Sequence, residues 1–278
     1  MELQMSKGFL VLAQNSDVDY IRQAYALALS IKATQPSINN ISLVTNDTVP
    51  EQYLSVFDKI IPIPFGDSAI TSEWKVENRW KLYHASPYDE TVVLDVDMLI
   101  LDNIERIWKW VGDRELFFTS HVVDYKGRII VDNTYRKMFV SNDLPNLYSG
   151  MFYFKKSDSS LEFFKLLEFI TYNWQKIYFE IAPKNMQNFY SFDVSVSIAA
   201  KLMGIDNIIT HRNSPFTFIH LKPALQGWEP VPQSCLSQLL INFTDTKELY
   251  LNNFKQRGVF HYVEDAFLTD QIIEQLNV

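Results

Sequence analysis

Four short apolar runs, at 9–13, 41–45, 59–63 and 91–94, alternate with segments of helical spacing in the first part of the chain. No other feature constrains the fold as strongly. Short strands separated by helices specify a mostly parallel sheet with helices packed on both faces. After the first run, Asn15, Ser16 and Asp17 offer helix N-caps. Residues 18–34 then place Ile21, Tyr25, Ala28 and Ile31 near helical spacing, and Pro36 ends the helix. A short helical piece precedes the third run, and 77–85 reads as a helix leading to the fourth. Further on, 116–120 and 151–154 read as strands. Residues 158–179 read as one long aromatic-rich helix with Ser157 as its cap, and 192–202 as a helix that Gly204 closes. Residues 207–278 read as loop-rich, with Pro215, Pro223, Pro230 and Pro232. A 278-residue chain that is 47% hydrophobic can bury one large core, and no repeat or linker divides it. The expectation is one α/β domain over 1–278 with a C-terminal elaboration.

In such sheets ligands sit outside the carboxyl ends of the strands. The stretch VVLDVDMLIL, at 92–101, puts Asp95 and Asp97 at such an end, inside an otherwise apolar run. An unpaired carboxylate in apolar surroundings is very costly, so the pair needs a partner. Its twin, Asp17-Val-Asp19, lies at a helix start, where carboxylates complement the dipole. Carboxylate oxygens suit Mg²⁺ or Mn²⁺, which in turn bridge to phosphates. A strand ending in solvated aspartates is the plain alternative.

Composition sets other classes aside. The eight glycines form neither a Gly-x-x-x-x-Gly-Lys nor a Gly-x-Gly-x-x-Gly loop, so P-loop and dinucleotide-binding readings lack their phosphate cradle. A formal net charge of -8 argues against non-specific nucleic-acid binding. Cys235 is the only cysteine, so there is no disulfide framework. Glu2 and Lys7 beside one short apolar run fit neither a signal peptide nor a membrane span. The expected location is the cytoplasm, and the sequons at Asn46 and Asn242 are read as chance.

A series of motifs in order, rather than any one of them, resembles glycosyltransferase family eight, the glycogenin-like retaining enzymes of the GT-A fold, over about residues 8–265. Leu10-Val-Leu-Ala-Gln-Asn15 followed by Tyr20 resembles the family's opening strand and base-binding loop. That likeness implies that Ala13, Gln14 and Asn15 line the nucleoside and that Tyr20 stacks on the base. Arg79, sixteen residues before Asp95, stands where the family carries a basic residue on the donor phosphates, with Lys81 as a neighbouring substitute. Val93-Leu-Asp-Val-Asp97, with the residues up to Ile104, closely resembles the metal-binding strand and the helix after it. Tyr148-Ser-Gly-Met-Phe-Tyr-Phe154 resembles the family's Asn-Ser-Gly strand, with Tyr148 in place of the Asn. Ser149 and Gly150 would then approach the sugar or its phosphates. Phe192-Asp193 resembles the family's Asp-Gln pair, with Val194 for the Gln, and implies that Asp193 lies near the donor sugar and its reacting carbon. A histidine completes the family's metal site, and two fit. His261, in Gly-Val-Phe-His-Tyr, is preferred; His220, in His-Leu-Lys-Pro, otherwise joins Lys222 on the diphosphate or acceptor side.

The resemblance implies a Rossmann-like sheet with a nucleotide-binding half over about 1–100 and an acceptor-side half over about 101–278. It implies metal-dependent transfer of a hexosyl or pentosyl group from a nucleoside-diphosphate sugar, a UDP-sugar first, with retention. Asp95, Asp97 and His261 would hold Mn²⁺ or Mg²⁺, and Asp97 and Asp193 would carry the catalytic roles. The acceptor is a glycan first and a hydroxymethylated base of phage DNA second. For DNA, Lys126, Arg128, Arg136, Lys137, Lys155 and Lys156 would have to form a basic groove. Two other classes stay open: a haloacid-dehalogenase-like phosphatase with Asp95 as nucleophile, and a non-catalytic sugar-nucleotide-binding protein.

Overall fold

The structure, a computed structural model, describes residues 5–70, 75–129, 136–207, 209–210, 214–221, 236, 239–262 and 265–277. In chain order its strands are β1 (Lys7–Leu12), β2 (Ile41–Val44), β3 (Lys59–Ile61), β4 (Glu90–Leu94), β5 (Met98–Ile100), β6 (Leu116–Thr119), β7 (Tyr148–Lys155), β8 (Phe218–His220), β9 (Ile241–Phe243), β10 (Leu249–Leu251), β11 (Phe254–Lys255) and β12 (Val259–His261). Its helices are α1 (Tyr20–Thr34), α2 (Leu82–Ala85), α3 (Arg106–Trp110), α4 (Lys137–Ser141), α5 (Asp158–Tyr172), α6 (Trp174–Ile181), α7 (Phe192–Leu202) and α8 (Asp270–Leu276). Six strands form the main sheet in the order β3-β2-β1-β4-β7-β6. The first four of that order run parallel, and β7 lies antiparallel between β4 and β6. The expected parallel-rich α/β sheet is therefore present.

Period-two alternation covers both faces of this sheet. Leu10, Val93, Phe152 and Phe154 pack with Phe163, Phe164 and Leu167 of α5 and with Val194 and Ile198 of α7. Their neighbours Phe9, Val11, Val92, Leu94 and Tyr153 pack on the other side with Ile21, Ala24, Leu27 and Ile31 of α1. Each fully buried Phe or Leu contributes roughly 1.5–3 kcal/mol. The far side of α1 is covered as well: Tyr25, Ala26 and Leu29 meet Leu99, Phe260 and Tyr262. Among the described residues, no helix is long and apolar enough to cross a membrane.

Several boundaries differ from the sequence reading. The cap of α1 is Asp19, whose carboxylate accepts from Arg22 N at 3.0 Å, and not one of the residues at 15–17. Asn15 still helps, accepting from Ile21 N at 3.0 Å. The helix expected over 77–85 is a 3-10 turn at Val76–Lys81 followed by α2. The single long helix expected over 158–179 is two, broken at Asn173, whose side-chain amide donates to Phe169 O at 2.9 Å. Asn competes with the helix for its own backbone in this way. Ser157 caps α5 as expected, and Gly204 closes α7. The loop-rich tail instead supplies the three-stranded sheet β11-β10-β9 and two strands, β12 and β8, of a second in the order β5-β12-β8.

Candidate active site

The site forms where the order of the main sheet reverses. β1 runs on to β2 on one side and neighbours β4 on the other, so a crevice opens beyond the carboxyl ends of β1 and β4. Ala13, Gln14 and Asn15 follow β1 there, and Asp95 follows β4. Because β7 is antiparallel, its beginning reaches the same edge, and Asp95 N donates to Gly150 O at 2.8 Å. Beyond Asp97 the chain enters β5, which pairs with β12 so that Met98 faces His261. Tyr262 N donates to Asp97 O at 3.0 Å and fixes that pairing at the site.

These two pairings bring Asp95, Asp97 and His261 together, with one ligand atom from each within 4.8 Å of the others. His261 Nε2 lies 3.0 Å from Asp97 Oδ2. Two observations test whether the cluster fits a cation. His261 Nδ1 is buried with no hydrogen-bond partner among the described residues. A Cβ at Gly150 would come within 3.2 Å of Asp95 Oδ2 and 3.5 Å of His261 Nδ1, so glycine keeps the space before both clear. Two carboxylates and an imidazole are a donor set for a divalent ion, and the residues present fit one.

A second line of charges runs into this cluster. Arg79 forms an ion pair with Asp95 and donates from Nη1 to Ser149 Oγ at 3.1 Å. Burial lowers the pKa of the Arg79 guanidinium, and the nearby carboxylates of Asp193 and Asp97 work to raise it. Asp193, in the first turn of α7, accepts from Ser149 N at 2.8 Å and Ser149 Oγ at 2.5 Å through one oxygen. Its other oxygen accepts from Arg136 Nη2 at 2.7 Å. Ser191, not Asp193, caps this helix, so the Asp193 side chain is available to the site. His220 sits beside His261 across the β8–β12 register, with ring centroids 4.5 Å apart, and does not belong to the ligand cluster.

Of the residues expected at the nucleoside, Gln14 and Asn15 line a separate polar recess together with Asn46, Asp47, Asp67, Ile70 and Lys75, and Ala13 and Tyr20 do not. Gln14 is fixed there, donating to Asp67 at 2.7 Å and accepting from Asn78 at 2.7 Å. Burial works to raise the Asp67 pKa, but bonds from Asn78, Ala69 N and Gln14 outweigh it and hold the carboxyl below its usual range. Ala13 is buried, with its N–H on Val44 O at 3.0 Å. Tyr20 is half-buried on the first turn of α1 against the core.

Lys81, expected beside Arg79 as a substitute for it, is not brought to the cluster. Lys81 is buried, and its ammonium bonds Gly66 O, Ser68 Oγ and Asn78 Oδ1, which ties down the loop at 66–69. The basic groove that a DNA acceptor would need lacks Arg136, which is 1% exposed and bound to Asp193 and Leu147 O, while Arg128 pairs with Asp124. Lys222 lies outside the described residues. In turn, sequence reasoning missed Asp67, Asn78 and the true position of Arg136.

No protein-family model and no curated protein matches the chain. Solved structures do. The galactosyltransferase LgtC, in complex with donor and acceptor sugar analogs, matches with a TM-score of 0.53 and 15% identity over 96% of this chain and 95% of that one. An active-site mutant of LgtC matches with a TM-score of 0.50 and 15% identity, over 92% and 87%. The bifunctional glycosyltransferase WbbM matches with a TM-score of 0.51 and 12% identity, over 99% of this chain and 50% of that one. At these identities the likeness is one of fold, and the fold is that of GT-A-type glycosyltransferases.

Proposed function

We propose that this chain transfers a sugar from a nucleoside-diphosphate sugar, a UDP-sugar first, to a glycan acceptor with retention at the anomeric carbon, and that it depends on Mn²⁺ or Mg²⁺. The observation that carries the reading is the convergence of Asp95, Asp97 and His261 at the switch point of a GT-A-type sheet, with Arg79 and Ser149 beside them. The complex of LgtC with both donor and acceptor sugar analogs supports a two-substrate reading on this fold.

In this reading the base enters the recess beside Gln14 and Asn15. Arg79 is the cation nearest the ligand cluster, and a diphosphate offers it an anion in place of Asp95. Asp95, Asp97 and His261 would hold the metal, which when bound supplies Lewis-acid stabilisation of the leaving diphosphate. Asp193, held by three donors, is a fixed negative charge for the sugar side, and Ser149 and Gly150 allow the close approach. A glycan is preferred over DNA because the basic groove that DNA needs loses Arg136 to the interior. The fold gives the phosphatase alternative no support: Asp95 follows the fourth strand of the chain, not the first.

A thermal-shift panel of nucleotides and nucleotide sugars, with and without Mn²⁺, tests the proposal. A ligand at a hundredfold excess over its Kd stabilises the native state by ~2.7 kcal/mol, which raises Tm by roughly 5–10 °C at this size. Mn²⁺-dependent stabilisation by UDP or a UDP-sugar, lost in Asp97→Ala, is the expected result. A chain that responds to no nucleotide under either condition would not be a glycosyltransferase of this kind.

A further inference from the structure

Arg136 is among the largest side chains wholly inside the molecule, at 1% exposure. A buried guanidinium needs partners, because an unpaired one costs several kcal/mol. Among the described residues, it reaches partners at the candidate site. Nη1 donates to Leu147 O at 2.8 Å, just before β7, and Nη2 donates to Asp193 Oδ2 at 2.7 Å. The guanidinium lies 3.6 Å from the ring centroid of Tyr148 and 4.6 Å from that of Phe139. It is thus held by a carbonyl, a carboxylate and two aromatic faces.

The hold passes on to Asp193. With Oδ2 on Arg136 and Oδ1 on Ser149 N and Oγ, the carboxylate is fixed from both sides. Ser149 Oγ donates to Asp193 and accepts from Arg79 Nη1, so the orientation of its hydroxyl depends on where Asp193 stands. Arg79 in turn pairs with Asp95. Without Arg136, Oδ2 loses this charged partner and the carboxylate gains freedom to turn. A misplacement of about 1 Å at a reacting centre can cost on the order of a hundredfold in rate.

We propose that Arg136 is the positioning residue for Asp193: its fixed guanidinium, stacked on Tyr148, sets the orientation of the Asp193–Ser149 pair from which turnover proceeds. The proposal rests on the glycosyl-transfer reading. Arg136 is neither a member of the ligand cluster nor among the residues that line the Gln14 recess, so its loss should separate turnover from nucleotide binding.

The test uses the full chain as wild type, Arg136→Ala and Arg136→Lys, with Mn²⁺ and the nucleotide sugar that the panel identifies, and reads UDP release. In Arg136→Ala, kcat is expected to fall about a hundredfold, while KM for the donor and Kd for UDP with Mn²⁺ stay within about threefold. Free guanidinium should restore at least about tenfold of that kcat by refilling the vacated place. Arg136→Lys, which keeps the buried charge but not the fork, should fall between. A kcat within about threefold of wild type in Arg136→Ala overturns the proposal. So does a loss of UDP binding in step with turnover that guanidinium does not relieve, since that marks a purely structural role. If Arg136→Ala does not fold, Arg136→Lys carries the same readouts; failure of both to fold assigns Arg136 to stability alone and overturns the proposal. A wild-type chain that neither binds nor turns over any nucleotide sugar overturns the underlying reading with it, which a defect confined to the variants does not.

Discussion

Gly150 holds open the space that the ligand cluster faces. A methyl group there would come 2.8 Å from Met98 Cε, the far end of a flexible side chain, and 3.2 Å from Asp95 Oδ2. Met98 can yield at little cost, but Asp95 must give by a few tenths of an ångström at a position that a metal would tolerate poorly. Gly150→Ala should therefore lower Mn²⁺-dependent UDP affinity by about tenfold or more while Tm changes by only a few degrees. Calorimetric titration beside a melting curve separates the two, and unchanged affinity would remove Gly150 from the site. At this scale the sequence exposed residues whose chemistry clashes with their surroundings. Asp95 and Asp97 stood out because they interrupt an apolar run, whereas His261 was singled out only through the family resemblance. Arg136 and Lys81 did not stand out as interior residues, because each has partners far away in sequence, although Lys81 also bonds Asn78 nearby. Arg136 reaches Asp193, 57 residues on, and Lys81 reaches Gly66 O, 15 residues back, and no local pattern records either contact.

Among the elements, β12 does most to assemble the site, although its bounds span only Val259–His261. It joins β5, which continues from the Asp-x-Asp, to β8, and its last residue is the candidate ligand. Its position is set at its start. Gly258 adopts φ +67°, donates to Asp102 Oδ2 at 2.9 Å and accepts from Leu101 N at 2.8 Å. A Cβ there would lie 2.2 Å from Thr217 O, a backbone atom that cannot move aside alone. Gly258→Ala should cost about 2–4 kcal/mol and shift His261, three residues on, out of register with Met98. Urea unfolding and Mn²⁺ binding by electron paramagnetic resonance would show both losses together; a stable variant that binds Mn²⁺ normally would mean that β12 does not depend on this turn. Elements with a clean period were legible: the helix over Phe192–Leu202 and the strand run into Asp95 match the structure closely. The α5–α6 break was not, because aromatic residues continue across Asn173 and hide a capping side chain within an apolar stretch. The small strands after 214 were not either, since three-residue strands carry no period and take their register only from partners elsewhere in the chain.

Over the whole molecule, the site divides between two supports, one on the main sheet and one shared with the second sheet. The polar recess rests on the loops after β1 and β2, at Gln14, Asn15, Asn46 and Asp47. The ligand cluster rests on the turn after β4 and on β12 in the second sheet. α1 packs against the core of both sheets, which explains why it is buried on two sides and why a simple amphipathic reading understated it. A nucleoside diphosphate is a ligand with two unlike ends, and in the proposed reading each end would meet its own support. Hydrogen exchange can therefore tell a bridging ligand from one that occupies a single half. Mn²⁺ alone should slow exchange at 149–151 and 259–262, around Gly150 and His261, and leave 13–16 and 45–47 unchanged. Mn²⁺ with UDP should slow all four segments together, because the base and the diphosphate engage both supports at once. Protection by Mn²⁺-UDP confined to 149–151 and 259–262 would place the nucleoside outside the Gln14 recess. Protection confined to 13–16 and 45–47 would mean that the Asp95–Asp97–His261 cluster does not receive the diphosphate.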